Sequence, residues 1–247
     1  MAHQGVDMDS SSSVEHAKLN ACREACRILR ETYRDASVIG VGTGSTIKLL
    51  IDHCRDFFTG KRLVPSSADT MLHLASIGYT VLLDPAGVDE VDVYIDGADE
   101  VSSKLDMVKG RGGAFAREKT LALRSRERIY VVDYTKYTGV DYLYAKPIPV
   151  EVLPVSLRYV VRKLGELGYG EPVLRVGSGK DGPVVSDNGN YIVDYKLSKP
   201  VRDPLALHNA LKLLHGVIET GVFPSELVDM VIVGEPSGVK VLKKKAQ

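Results

Sequence analysis

Apolar residues at Val14, Ala17, Ala21, Ala25 and Ile28 recur every three or four positions, the period of a helix with one buried stripe. Beyond it the pattern changes to short continuous apolar runs at residues 37–41, 62–64, 79–83, 91–95 and 128–132, which read as strands. Helical spacing returns between them, at residues 47–58, 67–77 and 113–125, and Gly78 is placed to end the second of these. Short strands alternating with helices predict a parallel sheet covered on both faces. Such sheets collect ligands at the carboxyl ends of their strands.

A second pattern begins after Pro147-Ile148-Pro149. It reads strand 150–153, helix 155–167, strands 172–176 and 184–193, helix 204–214 and strand 216–221. That βαββαβ order predicts a smaller, ferredoxin-like α/β domain. Residues 177–182 and Asp187-Asn188-Gly189-Asn190 read as turns, the Asn-Gly pair being a strong turn former. The apolar run 228–233 then returns to the large sheet, which makes the small domain an insertion near the C-terminus. The expected organisation is a large domain over 14–146 plus 222–247, a small one over 147–221, and a flexible arm over 1–13.

Charge narrows the partners. Lys+Arg and Asp+Glu both total 32, so the net charge is zero, and no global field draws the chain to nucleic acid or to an acidic membrane. No apolar run approaches the about 20 residues of a membrane span. Residues 1–13 lack an apolar core and carry Asp7 and Asp9, so neither a secretory signal nor a transit peptide is expected, and a cytoplasmic protein is. Three cysteines are too few for a disulfide framework; Cys22, Cys26 and Cys54 are expected as buried free thiols in a reducing compartment. His208 and His215 lie seven apart on a predicted helix and are expected to pack or face solvent rather than bind a metal.

Four segments carry candidate chemistry. Gly42-Thr43-Gly44-Ser45-Thr46 sits between a strand and a helix, where glycines admit a close ligand and the helix N-terminus favours a phosphate. It lacks the Gly-Lys-Ser/Thr of a P-loop and the third glycine of the dinucleotide fingerprint, and a plain strand–helix turn with a hydroxyl cap is its other reading. Asp96-Gly97-Ala98-Asp99-Glu100 packs three carboxylates into five residues, suited to sugar hydroxyls, a metal or acid–base work, or else to a solvated turn. Lys109-Gly110-Arg111-Gly112-Gly113-Ala114 leads into a helix with Arg117-Glu118-Lys119; it can form an amide nest for an oxyanion or a mobile loop with an exposed charged triplet. Lys136, after the strand at 128–132, points from the same sheet edge, though alone it reads as a surface lysine.

These segments, with Ser186-Asp187-Asn188-Gly189-Asn190, occur in the order and spacing of one family. From about Val14 to Leu242 the chain resembles ribose-5-phosphate isomerase A. The resemblance implies a Rossmann-like α/β domain with a small α/β appendage. It implies an aldose–ketose isomerase that interconverts ribose 5-phosphate and ribulose 5-phosphate through an enediolate, in the pentose phosphate pathway. It implies a homodimer or homotetramer that takes a small sugar phosphate and uses no cofactor or metal.

Position by position, the resemblance implies that Thr43, Gly44, Ser45 and Thr46 hold the phosphate and substrate. Asp96 and Asp99, with Gly97 and Ala98, lie beside the sugar hydroxyls, and Asp96 is suited to opening the sugar ring. Lys109 and the amides through Gly110, Arg111 and Gly112 steady the enediolate. Glu118 is the base, Lys136 a further substrate contact, and Lys18 a lysine near the phosphate. Arg111 stands where many members have glycine. Two other readings share the architecture, a CoA transferase with a glutamate nucleophile and a sugar-phosphate sensor without catalysis. The Thr43–Thr46 loop combined with Lys109 argues against the transferase. A single helix before that loop is too little for a helix-turn-helix module, which argues against the sensor.

Overall fold

In the computed structural model, residues 7–82, 87–179 and 181–244 are described. Helix α1 (Asp7–Thr32) leads into β1 (Val38–Val41), α2 (Ser45–His53), α3 (Arg55–Phe58), β2 (Arg62–Pro65), α4 (Ala68–Ser76) and β3 (Val91–Asp96). After β4 (Glu100–Val101) and β5 (Met107–Val108) come α5 (Phe115–Arg124) and β6 (Ser125–Asp133). A second group follows: β7 (Ile148–Val152), α6 (Leu157–Leu167), β8 (Gly170–Leu174), β9 (Tyr191–Leu197), α7 (Pro204–Lys212) and β10 (Val217–Thr220). The chain closes with β11 (Val222–Phe223), β12 (Met230–Glu235) and β13 (Gly238–Lys243).

The central sheet runs β13-β12-β6-β3-β1-β2, parallel throughout except for the edge strand β13. Its strands are apolar runs because both faces are covered. Along β6, Ile129 and Val131 enter the core shared with α1 and α2, whereas Tyr130 and Val132 enter the core shared with α5. On β12, Met230 and Ile232 face the first of these, Val231 and Val233 the second. The strand order reverses beside β1, which has β2 on one side and β3 on the other. The crevice at such a switch point is where open α/β sheets bind ligands. Here the Gly42–Thr46 loop leaves β1 and the Asp96–Glu100 segment leaves β3, at adjacent carboxyl ends.

The second group forms a four-stranded antiparallel sheet, β10-β7-β9-β8, that shares an apolar core with α6 and α7. A three-stranded sheet, β11-β5-β4, was not foreseen; its pairs are two residues long, and β11 joins β5 from more than a hundred residues along the chain. It matters for the site, because it ties the segment after β3 to β5, which Lys109 follows directly.

Several expectations are corrected. The backbone from Asp7 to Ser13 belongs to α1 and not to a flexible arm, and Met1–Val6 lie outside the described residues. Once a helix is nucleated it adds residues at little cost, even where serines show no apolar period. Cys26 and Cys54 are joined in a disulfide across α1 and the α2–α3 junction, their Cα atoms 5.6 Å apart, so only Cys22 is a buried free thiol. The strand expected at 184–193 begins at Tyr191, because the turn ahead of it interrupts pairing. Of the strand expected at 79–83, the described part keeps a single bridge, Val81 to Leu63, and Leu83 lies outside the described residues.

Candidate active site

A cleft of about 280 Å³ opens at the switch point. One wall is the loop after β1. Here Gly42 has no room for a side chain, since a Cβ would lie 2.0 Å from the Asp96 carboxyl carbon. The Thr43 amide donates to Asp96 Oδ1 at 3.0 Å, and Thr43 Oγ1 is 3.0 Å from Ser66 Oγ, so the loop is braced from beneath. Gly44 precedes α2 at φ 115°, and no side chain caps the helix. The first amides of α2 therefore remain available at the cleft, beside Ser45 and Thr46. Lys18 reaches the same end from α1, paired with Glu15 at 2.7 Å, and Lys136 reaches it from beyond β6.

The opposite end is buried. Lys109 is 3% exposed and Glu118 4% exposed, yet both line the cleft. Lys109 Nζ donates to the Gly97 carbonyl at 2.6 Å and pairs with Asp96 Oδ2 at 2.7 Å. Glu118 Oε2 lies 3.2 Å from the same ammonium but receives no well-aligned hydrogen bond. Burial lowers the proton affinity of Lys109, but Asp96 and Glu118 outweigh it and hold the lysine charged, above its usual range. Burial pushes the Glu118 carboxyl up to about 8; Lys109 opposes the shift and Asp96 adds to it. Burial thus makes this carboxyl a stronger base than an exposed one.

Asp96 sits deeper than its neighbours. It is fully buried and does not line the cleft. Its oxygens accept from the Thr43 and Gly97 amides and from the Tyr94 hydroxyl, and its charge is matched by Lys109. A carboxylate so occupied braces the floor and holds Lys109. Asp99, three residues on, does line the cleft, with Oδ2 accepting from the Arg111 amide at 3.0 Å. Gly97, Ala98, Gly110, Arg111 and Gly112 complete this wall. Every other residue to which the resemblance gives a role thus meets in one cleft, with Asp96 beneath it.

The sequence reading did not single out Val14, Val131, Val132, Asp133 or Thr135, which also line the cleft. Asp133 accepts from the Thr135 amide at 2.9 Å and fixes the turn that carries Lys136. Lys119, beside Glu118, was read only as part of a charged triplet. It is buried, donating to Glu219 Oε1 at 2.9 Å and to the Thr220 carbonyl at 2.7 Å. Its ammonium lies 4.8 Å from the Phe223 ring centre, a ring that Lys109 approaches at 5.4 Å. Burial brings Lys119 down to about 8. His208, expected at the surface or in packing, is part of that cluster, its Nδ1 2.8 Å from Thr220 Oγ1.

Comparison with known proteins decides what this cleft belongs to. Residues 62–238 match the family model described as ribose 5-phosphate isomerase A, or phosphoriboisomerase A. The chain belongs to the ribose-5-phosphate isomerase A family. A relative of that name from Pyrococcus abyssi is 39% identical over 239 residues, covering 94% of this chain and all of its own. Among solved structures, a D-ribose-5-phosphate isomerase in complex with phospho-erythronic acid superposes with a TM-score of 0.85 at 38% identity, covering 94% of this chain and 99% of the other. Ribose 5-phosphate isomerase A from Methanocaldococcus jannaschii gives a TM-score of 0.83 at 36% identity, covering 94% and 100%. The chain is accordingly an isomerase of the pentose phosphate pathway, interconverting ribose 5-phosphate and ribulose 5-phosphate. Family membership replaces the transferase and sensor readings.

Proposed function

We propose that Glu118 is the group that carries the proton between C1 and C2. The observation behind this reading is a buried carboxyl on the cleft wall, with Oε2 free of a hydrogen bond and 3.2 Å from a charged lysine. Going from aldose to ketose, the carboxylate removes hydrogen from C2, the enediolate forms, and the same carboxyl returns the proton to C1 while a hydroxyl proton passes from O2 to O1. A base whose pKa lies near the working pH is strong enough for a carbon acid and still partly ionised, and such catalysis contributes about 10²–10⁴-fold. Lys109 and the Gly112 amide stand ready for the developing oxyanion. Asp99, rather than Asp96, meets the hydroxyls.

The phosphate goes to the other end, against the first amides of α2, Ser45, Thr46, Lys18 and Lys136. Distant binding of this kind holds the sugar over Glu118. The relative that binds phospho-erythronic acid favours the same reading, because that ligand couples a phosphate to a carboxylate that resembles the planar anionic end of an enediolate. Glu118→Gln keeps the size of the side chain but cannot accept a proton. It should lower kcat about 10²-fold or more with KM nearly unchanged. A Gln variant with wild-type kcat would show that the base lies elsewhere.

The βαββαβ order and antiparallel pairing of 147–221 favour a ferredoxin-like small domain inserted into the Rossmann-like one. The resemblance also carries the reading of a metal-free homo-oligomer in the cytoplasm. Val155 and Leu213, 93% and 86% exposed, offer apolar surface that association would cover, and the mass in solution tests this.

A further inference from the structure

We infer that Arg175, which lies after β8 and outside the cleft, is a positioning residue for the isomerisation, because it fixes which way the peptides of the oxyanion loop point. Its Nη1 donates to the Gly110 carbonyl at 2.9 Å and to the Arg111 carbonyl at 3.0 Å. The guanidinium is itself locked by a two-pronged pair with Asp194 of β9, through Nε at 2.8 Å and through Nη2 at 2.5 Å. A third carbonyl of the loop, Gly113, accepts from the Asp187 amide at 3.3 Å. The loop's carbonyls are therefore gathered toward the four-stranded sheet.

In a trans peptide the N–H points opposite to the carbonyl it is bonded to. Turning the Gly110 carbonyl to Arg175 sends the Arg111 N–H the other way, to Asp99 Oδ2 at 3.0 Å. Turning the Arg111 carbonyl to Arg175 likewise sends the Gly112 N–H away from the sheet, and Gly112 lines the cleft. Glycines on both sides of Arg111 make these peptides easy to rotate, and Gly110 already sits at φ 113°. A flipped peptide would offer a carbonyl oxygen to the enediolate, which repels it. Arg175 supplies the restraint that the glycines lack.

This rests on the enediolate mechanism proposed above and extends it to a residue beyond the site. Arg175→Ala should lower kcat about 10²-fold, the scale of losing one oxyanion donor, with KM changed by less than about threefold. The inhibition constant of phospho-erythronic acid should rise by a similar factor, and guanidinium in the buffer should restore part of kcat. Arg175→Lys keeps the charge but cannot span two carbonyls and a carboxylate together, so it should lose at least about tenfold in kcat. It decides the matter if the Ala variant does not fold. Folded variants with wild-type kcat and wild-type inhibition, whatever their melting temperature, would make Arg175 a stability residue and overturn the inference. An active Glu118→Gln would instead sink the mechanism beneath it.

Discussion

At the Thr43–Thr46 end of the cleft, cationic side chains stand at the rim and an uncapped helix offers its amides; at the Glu118 end, the charged groups are buried and nearly all consumed by one another. On the proposed mechanism the two ends face different tasks. A phosphate arrives charged and hydrated, and it can be met by lysines and dipoles that need no burial. A carbon-bound hydrogen needs a strong base, and a carboxylate becomes one only when water is withdrawn from it. Burying Glu118 requires compensation, which Lys109 provides, and Lys109 in turn needs Asp96 beneath it. The triad is the cost of raising one carboxyl to about 8 without losing the fold.

The sharpest break of this contrast is at Lys109. Lys109→Met leaves Asp96 and Glu118 buried together without a cation, so kcat should fall by about 10³-fold, the upper range for an oxyanion donor, and the melting temperature should fall too. Retained activity would mean that the buried end does not use its lysine. Lys136→Ala probes the open end and should act differently. It should raise KM for ribose 5-phosphate, with kcat/KM falling about tenfold, the scale of a charged hydrogen bond of about 1.5–3 kcal/mol. A kcat defect at constant KM would erase the division between the ends.

A smaller effect is linked to pH. Between its ordinary 4.5 and about 8, Glu118 keeps its proton in the folded chain and loses it in the unfolded one. The folded state thus binds more protons, and this group's contribution to stability is lost as pH rises through that window. Glu118→Gln removes the slope, so the variant's melting temperature relative to wild type should climb by a few degrees from pH 5 to pH 8. In the wild type, kcat/KM should rise with pH and level off only near 8. A profile already flat above pH 6, with no change in relative melting temperature, would place Glu118 at an ordinary pKa.

Much of the site was legible because its residues sit in short segments at strand ends, where pattern and chemistry coincide. Glu118 and Lys109 were named by the resemblance, their loop and helix alone leaving a mobile, exposed segment open. What spacing cannot show is depth. Asp96 and Asp99 share one five-residue motif, yet one lies under the floor and the other at the wall, a difference made by Tyr94, Thr43 and Lys109 converging from three separate elements. Arg175 is invisible for the same reason: a lone arginine near a strand end acquires meaning only when β9 brings Asp194 beside it and the loop carbonyls in front. The Cys26–Cys54 disulfide, 28 residues apart, depends on how α1 crosses the α2–α3 junction, which no local pattern encodes.

The central claim is that one buried carboxyl moves the hydrogen between carbons. It is tested most directly by incubating ribose 5-phosphate in deuterium oxide and following the C2 hydrogen by proton NMR, with wild type and Glu118→Gln side by side. The wild type should exchange this hydrogen during turnover, and the Gln variant, folded and still binding substrate, should do so at least about 10²-fold more slowly. Exchange by the Gln variant at the wild-type rate would contradict it and move the search for the base to Asp99.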